Sequence, residues 1–84
     1  MKILVSGGCG FIGSNYILNQ ISQNNNVILN IDKLTYAGNI TNLSSISKNP
    51  NYSLYKGDIC DKKFISNTIK EYKPDCIIHF AAES

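Results

Sequence analysis

The stretch Gly7-Gly8-Cys9-Gly10-Phe11-Ile12-Gly13 decides how this chain of 84 residues is read. Two glycine patterns overlap in it: Gly8, Gly10 and Gly13 spell G-x-G-x-x-G, while Gly7, Gly10 and Gly13 spell G-x-x-G-x-x-G. Either pattern alone is weak, and its surroundings give it weight. Before it, the apolar run Lys2–Ser6 reads as a buried strand. After it, Ser14, Ile17, Leu18 and Ile21 fall at helical spacing, which predicts a helix over Phe11–Gln23. A strand, a glycine loop and a helix in this order suit an anion such as a pyrophosphate. Glycine permits the tight turn and close backbone approach, and the helix N-terminus offers unpaired N–H groups and a positive dipole. Gly13 lets the helix lie close to the sheet. The alternative is a glycine-rich turn that holds no ligand.

Working outward, Asn24-Asn25-Asn26 reads as a turn and Val27–Ile31 as a second buried strand. Asp32 ends that strand, 19 residues past Gly13. At that spacing a carboxylate meets the hydroxyls of an adenosine ribose and repels a 2′-phosphate, which favours NAD over NADP. Lys33 works against that preference, because it could neutralise the site. The competing reading of Asp32 is an aspartate that caps its own loop. Asp32–Gly38 reads as loop, and Ile40, Leu43 and Ile46 suggest a short, weak helix ended by Asn49-Pro50-Asn51. Tyr52–Lys56 is a third strand. Asp61 is a candidate N-cap for a helix that carries Phe64, Ile65, Thr68, Ile69 and Tyr72 on one face and stops at Pro74. Cys76–Phe80 is a fourth strand. Strands alternating with helices predict an α/β fold with a parallel sheet, and the apolar strands predict cover on both faces.

Composition narrows the function. Eight lysines, no arginine and six acids give a formal charge of +2, too little for a nucleic-acid or membrane-surface argument. The N-terminal apolar run Ile3-Leu4-Val5 is too short for a signal peptide, and no stretch reaches membrane-spanning length. Three cysteines, Cys9, Cys60 and Cys76, match no zinc spacing. Their odd number, without a leader, reads as free thiols in a reducing cytoplasm. The Asn-x-Ser/Thr triplets at Asn39, Asn42 and Asn51 are then chance matches.

With these elements in place, Gly7-Gly8-x-Gly10-Phe11-Ile12-Gly13-Ser14 resembles the extended short-chain dehydrogenase/reductase superfamily. Asp32-Lys33-Leu34-Thr35-Tyr36-Ala37-Gly38-Asn39, Lys56-Gly57-Asp58-Ile59-Cys60-Asp61 and His79-Phe80-Ala81-Ala82-Glu83-Ser84 narrow the resemblance to the dTDP-glucose 4,6-dehydratase family. It covers the whole chain. Cys9 departs from the pattern, where alanine is commoner.

The resemblance implies a Rossmann NAD(P)-binding fold, of which residues 1–84 would be the first four strands, with the substrate domain absent. It implies NAD as cofactor. Gly7, Gly10 and Gly13 would shape the loop, with the Phe11 and Ile12 N–H groups on the pyrophosphate. Asp32, Lys33, Leu34, Thr35 and Gly38 would surround the adenosine ribose and its phosphate, and Asp58 and Ile59 the adenine. Phe80, Ala81, Ala82, Glu83 and Ser84 would run toward the nicotinamide ribose, with Ser84 also nearest a dTDP-glucose substrate. For the full-length protein it implies a lyase reaction, dTDP-glucose to dTDP-4-keto-6-deoxyglucose, and a homodimer. Hydride leaves sugar C4 for NAD, water leaves across C5–C6, and hydride returns to C6. A nucleotide-sugar 4-epimerase or reductase of the same superfamily, or a non-catalytic NAD-binding module, are the alternatives.

No catalytic residue is expected in this chain. The family's Asp-Glu pair does not occur. Tyr52-Ser53-Leu54-Tyr55-Lys56 does spell the family's Tyr-x-x-x-Lys, but on a strand residues four apart stand about 13 Å apart, against about 6 Å on a helix. Cys9, near a helix N-terminus, is either a thiol activated by the dipole or a small residue filling the alanine position. His79 reads as a residue on the inner sheet. The fourth strand is followed by no helix, so one flank of the sheet is expected to be bare, as in the front of a longer protein.

Overall fold

A computed structural model of the chain describes residues 1–23, 26–33 and 39–80. Strand β1 (Lys2–Ser6) is followed by helix α1 (Phe11–Gln23) and strand β2 (Val27–Asp32). A 3-10 segment (Asn39–Ile46), strand β3 (Tyr52–Lys56), helix α2 (Lys62–Tyr72) and strand β4 (Cys76–His79) complete the order. The four strands form one parallel sheet in the order β3-β2-β1-β4. This is the α/β fold expected.

Two layers cover the sheet, and strand alternation decides which residue meets which. Ile3 and Val5 of β1, Ile28 of β2 and Tyr52 of β3 face α1 and the 3-10 segment, packing with Cys9, Ile17 and Leu43. Leu4, Leu29 and Ile31 face the other way, against Phe64, Ile65 and Tyr72 of α2. Opposite cover for the two crossovers follows from their right-handedness: β1 to β2 steps one way along the sheet and β3 to β4 returns the other way. Leu4, Val5, Ile17 and Ile28 are fully enclosed. Each contributes about 1.5–3 kcal/mol by leaving water.

Cover on both faces holds for the central strands alone. β1 and β2 are buried along nearly their whole length, whereas β3 and β4 alternate between sheltered and open residues. Tyr55 on β3 and Ile77 on β4 are 48% and 52% exposed, both on the face where α2 sits. One helix about 10 Å across cannot span four strands spaced near 4.8 Å. Ile69, expected on the buried face of α2, is 37% exposed for the same reason: it flanks the stripe of Phe64, Ile65, Thr68 and Tyr72.

Boundaries follow local chemistry. β2 includes Asp32, which the sequence reading assigned to a loop, because the Gly57 N–H donates to the Asp32 carbonyl at 3.0 Å and prolongs the β2–β3 ladder. β4 ends at His79, one residue early, yet the Phe80 N–H still donates to the Ser6 carbonyl at 2.7 Å. The period of three in Ile40, Leu43 and Ile46 produces a 3-10 segment, kinked at Leu43 (φ −116°, ψ 16°). Asp61 caps α2 by accepting the Phe64 N–H at 3.1 Å. Lys73, left-handed at φ 54°, closes it by donating to the Ile69 carbonyl, immediately before Pro74. The turn expected at Asn24–Asn26 falls partly outside the described residues.

Candidate functional site

β2 and β4 lie on opposite sides of β1, so the strand order reverses at β1. Crevices at such switch points are where open α/β sheets take ligands. The glycine loop rises there from Ser6. Gly7 adopts φ 72°, a conformation costly for any residue with a Cβ, and its N–H donates to the Ile31 carbonyl at 2.9 Å. The chain then enters α1, where the Ser14 N–H reaches the Gly10 carbonyl at 2.8 Å. The Phe11, Ile12 and Gly13 N–H groups, one turn earlier, have no carbonyl inside the helix to accept them. A Cβ on Gly13 would stand 2.7 Å from the Gly7 carbonyl oxygen and 2.8 Å from the Gly8 Cα. Gly13 thus lets the helix start against the loop, as its place in the motif implied.

Asn30, which the sequence reading passed over, holds this loop from beneath. It is fully buried in β2. Its Oδ1 accepts the Gly8 N–H at 2.9 Å, and its Nδ2 donates to Cys9 Sγ at 3.4 Å and to the Tyr52 hydroxyl at 3.2 Å. The signal was present: one amide inside the apolar run Val27-Ile28-Leu29-Asn30-Ile31, where an unpaired polar group is expensive. Its partners lie 21 and 22 residues away, and only folding names them.

Asp32 stands one β-repeat further along the strand, 3% exposed, and its Oδ2 accepts the Cys9 N–H at 2.9 Å. The bond is to the glycine loop and not to the loop that Asp32 begins, whose residues 34–38 lie outside the described residues, and it brings the carboxylate directly under the glycine loop. Lys33 and Asp58, two residues assigned to the cofactor from separate blocks of sequence, are brought together: Lys33 Nζ is 3.4 Å from Asp58 Oδ2. The Asp58 Oδ1 accepts the Cys60 N–H at 2.9 Å. That backbone bond, then Lys33, holds the Asp58 carboxyl below its ordinary range. Ile59 follows at the same end of the sheet, half-buried.

Phe80, leaving β4, packs its ring on Tyr16 of α1, with centroids 5.7 Å apart. Leu34, Thr35, Gly38, Ala81, Ala82, Glu83 and Ser84 lie outside the described residues. His79 is not an interior residue. It is exposed on edge strand β4, and its Nδ1 is hydrogen-bonded to the Ser6 hydroxyl, a partner its sequence neighbours could not reveal.

The two chemical decoys resolve clearly. Tyr52 and Lys56 do lie on strand β3, and Tyr52 is buried with its phenol pushed up to about 12, chiefly by burial. It is a core residue, not a base held near neutrality. Cys9 is fully enclosed, and burial and then the Asp32 charge push its thiol up to about 11. Burial thus disfavours the thiolate, and Cys9 packs as a small enclosed residue under the loop. What remains at this end of the sheet is a set of polar groups: N–H donors at a helix start, a carboxylate beside them, and an ion pair at the next strand end. Among the described residues, no cluster of three His, Cys, Asp or Glu could hold a metal, and no helix is long and apolar enough to cross a membrane.

The family model for GDP-mannose 4,6 dehydratase matches residues 4–84. The dTDP-glucose 4,6-dehydratase of Salmonella typhimurium is 48% identical over 84 residues, all of this chain and 23% of that protein. The chain thus spans about a quarter of the length of such relatives. Among solved structures, a dTDP-glucose 4,6-dehydratase from Bacillus anthracis in complex with NAD superposes with TM-score 0.89 at 44% identity, over 96% of this chain and 26% of that one. A UDP-Glc/GlcNAc 4-epimerase from Campylobacter jejuni superposes less well, with TM-score 0.82 at 28% identity over 95% of this chain and 24% of its own.

Proposed function

The chain belongs to the GDP-mannose 4,6 dehydratase family, and from that membership we propose that it supplies the NAD-binding part of a cytoplasmic dTDP-glucose 4,6-dehydratase. One observation carries this reading: the Asp32 carboxylate, at the end of β2, is bonded to the Cys9 N–H of the glycine loop at 2.9 Å. That bond holds the carboxylate beside the start of α1, an arrangement that supports reading the two as the halves of an adenosine diphosphate site.

The residues present fit NAD. Gly7 and Gly13 give the tight turn and the close helix approach. The Phe11 and Ile12 N–H groups would bind the pyrophosphate, and Asp32 the ribose hydroxyls, with Lys33 beside it. Asp58 and Ile59 would receive the adenine. The family resemblance assigns Leu34, Thr35 and Gly38 to the ribose side, and Phe80 with Ala81, Ala82, Glu83 and Ser84 to the nicotinamide side, with Ser84 nearest the sugar. When bound, NAD supplies the hydride acceptor for sugar C4 and the donor for C6. Within this chain the residues orient the cofactor and move no proton. The proton-transfer pairs belong to the rest of a longer, homodimeric protein. Identity favours a dehydratase over an epimerase.

The test uses the full natural chain with dTDP-glucose and NAD. A 4-keto-6-deoxy sugar is expected, without net accumulation of NADH. Asp32→Ala is expected to weaken NAD binding about ten- to a hundredfold, the loss of a charge-assisted hydrogen bond of about 1.5–3 kcal/mol. NADP binding should fall less. No keto sugar from folded, NAD-saturated protein would overturn the dehydratase assignment, and an unchanged NAD-to-NADP ratio would reduce Asp32 to a loop cap.

A further inference from the structure

Lys33 is an awkward residue for an NAD site. A cation directly after the ribose-binding acid is what a 2′-phosphate would seek, since phosphate recognition rests on nearby Lys or Arg charge. The fold gives that cation a partner. Register places Asp32 of β2 opposite Lys56 of β3, and two residues on, the chain presents Asp58 to Lys33 across the strand ends, Nζ to Oδ2 at 3.4 Å. Asp58 is not a swinging side chain: its other oxygen accepts the Cys60 N–H at 2.9 Å, which fixes the carboxylate within its own turn. The Gly57 N–H, bonded to the Asp32 carbonyl at 3.0 Å, locks that turn to the end of β2.

We infer that the Lys33–Asp58 ion pair sets the dinucleotide preference, with Asp58 engaging the Lys33 ammonium so that it does not offset the repulsion between Asp32 and a 2′-phosphate. The inference rests on the NAD reading above and deepens it. Asp58 acts through Lys33, so it is a positioning residue for selectivity as well as a candidate adenine contact. Both side chains are about half-exposed, 55% and 40%. Water and salt screen such a pair, so its effect is a modest ratio and not an absolute switch.

Titration of NAD and NADP into the full natural chain, as wild type, Asp58→Asn, Lys33→Met and the double variant, tests this. The two dinucleotides share adenine and pyrophosphate, so the ratio of their dissociation constants cancels any adenine contact that Asp58→Asn removes. Asp58→Asn is expected to shift the ratio toward NADP about three- to fivefold, the effect of one half-exposed charge pair. In the Lys33→Met background the same change should shift it less than about twofold, because no cation is left to release. An equal shift in both backgrounds overturns the inference, since Asp58 would then act by its own charge. So does no shift in either. Wild-type protein that binds NAD while the ratios stay constant overturns this inference alone; folded wild type that binds neither dinucleotide overturns the NAD reading with it.

Discussion

The Gly8 N–H donates to Asn30 Oδ1 at 2.9 Å, and a Cβ on Gly8 would stand 2.4 Å from that same oxygen. The amide therefore needs the glycine, and the glycine loop needs the amide. Oδ1 sits where it does because Asn30 Nδ2 is anchored on the Tyr52 hydroxyl and Cys9 Sγ. Three strands' worth of structure converge on one side chain under the candidate ligand loop.

Asn30→Ala should consequently destabilise more than an average substitution. It strips the acceptor from a buried N–H and leaves the Tyr52 hydroxyl without its donor, at about 1–3 kcal/mol for each buried group left unpaired. Thermal unfolding of the full natural chain should show a fall in Tm of several degrees, since about 1 kcal/mol is worth about 2–8 °C depending on length. An unchanged Tm would mean that the amide network is incidental.

Gly13→Ala and Gly57→Ala should differ in kind. At Gly13 the obstructing atoms are backbone, the Gly7 carbonyl oxygen and the Gly8 Cα, so α1 must move off the loop. At Gly57 the added Cβ meets the Phe64 ring, 2.5 Å from Cε2, and a ring can be replaced. Each change should cost about 1–3 kcal/mol by overpacking. A Phe64→Leu background should relieve the Gly57→Ala clash, giving less than additive loss, while Gly13→Ala adds to Phe64→Leu in full. Paired denaturation midpoints measure this, and additive losses at both sites would contradict it.

Alkali should loosen the fold in a defined window. The Cys9 thiol and the Tyr52 phenol are pushed up to about 11 and about 12, chiefly by burial. The unfolded chain gives up these protons from about pH 9 and 10, while the folded chain keeps them. Above pH 9 the unfolded state thus binds fewer protons, and stability falls as pH rises, by up to about 1.4 kcal/mol per unit for each group. Below about pH 8 neither contributes an appreciable slope. Urea unfolding at pH 7.5, 9, 10 and 11 should show this onset, and Cys9→Ala should flatten the pH 9–11 portion. Equal slopes in wild type and variant would contradict the assignment of that step to Cys9.

Much of this molecule was legible residue by residue. Strand β1, helix α1 with its glycine loop and the Asp61 cap of α2 are settled within a few residues, by torsions glycine alone tolerates, by apolar period and by a side chain bonding three residues ahead. Asp32 was legible as an acid at the right spacing from the loop. Tertiary structure alone decided the strand order β3-β2-β1-β4, and everything else of interest followed from it. That order put Asn30 beneath Gly8 and Lys33 against Asp58, gave His79 the Ser6 hydroxyl as partner, and left Tyr55 and Ile77 open to water. The physical reason is range. Backbone torsion and helical period are written in neighbouring residues, whereas burial and hydrogen-bond partnership depend on which distant strands lie side by side.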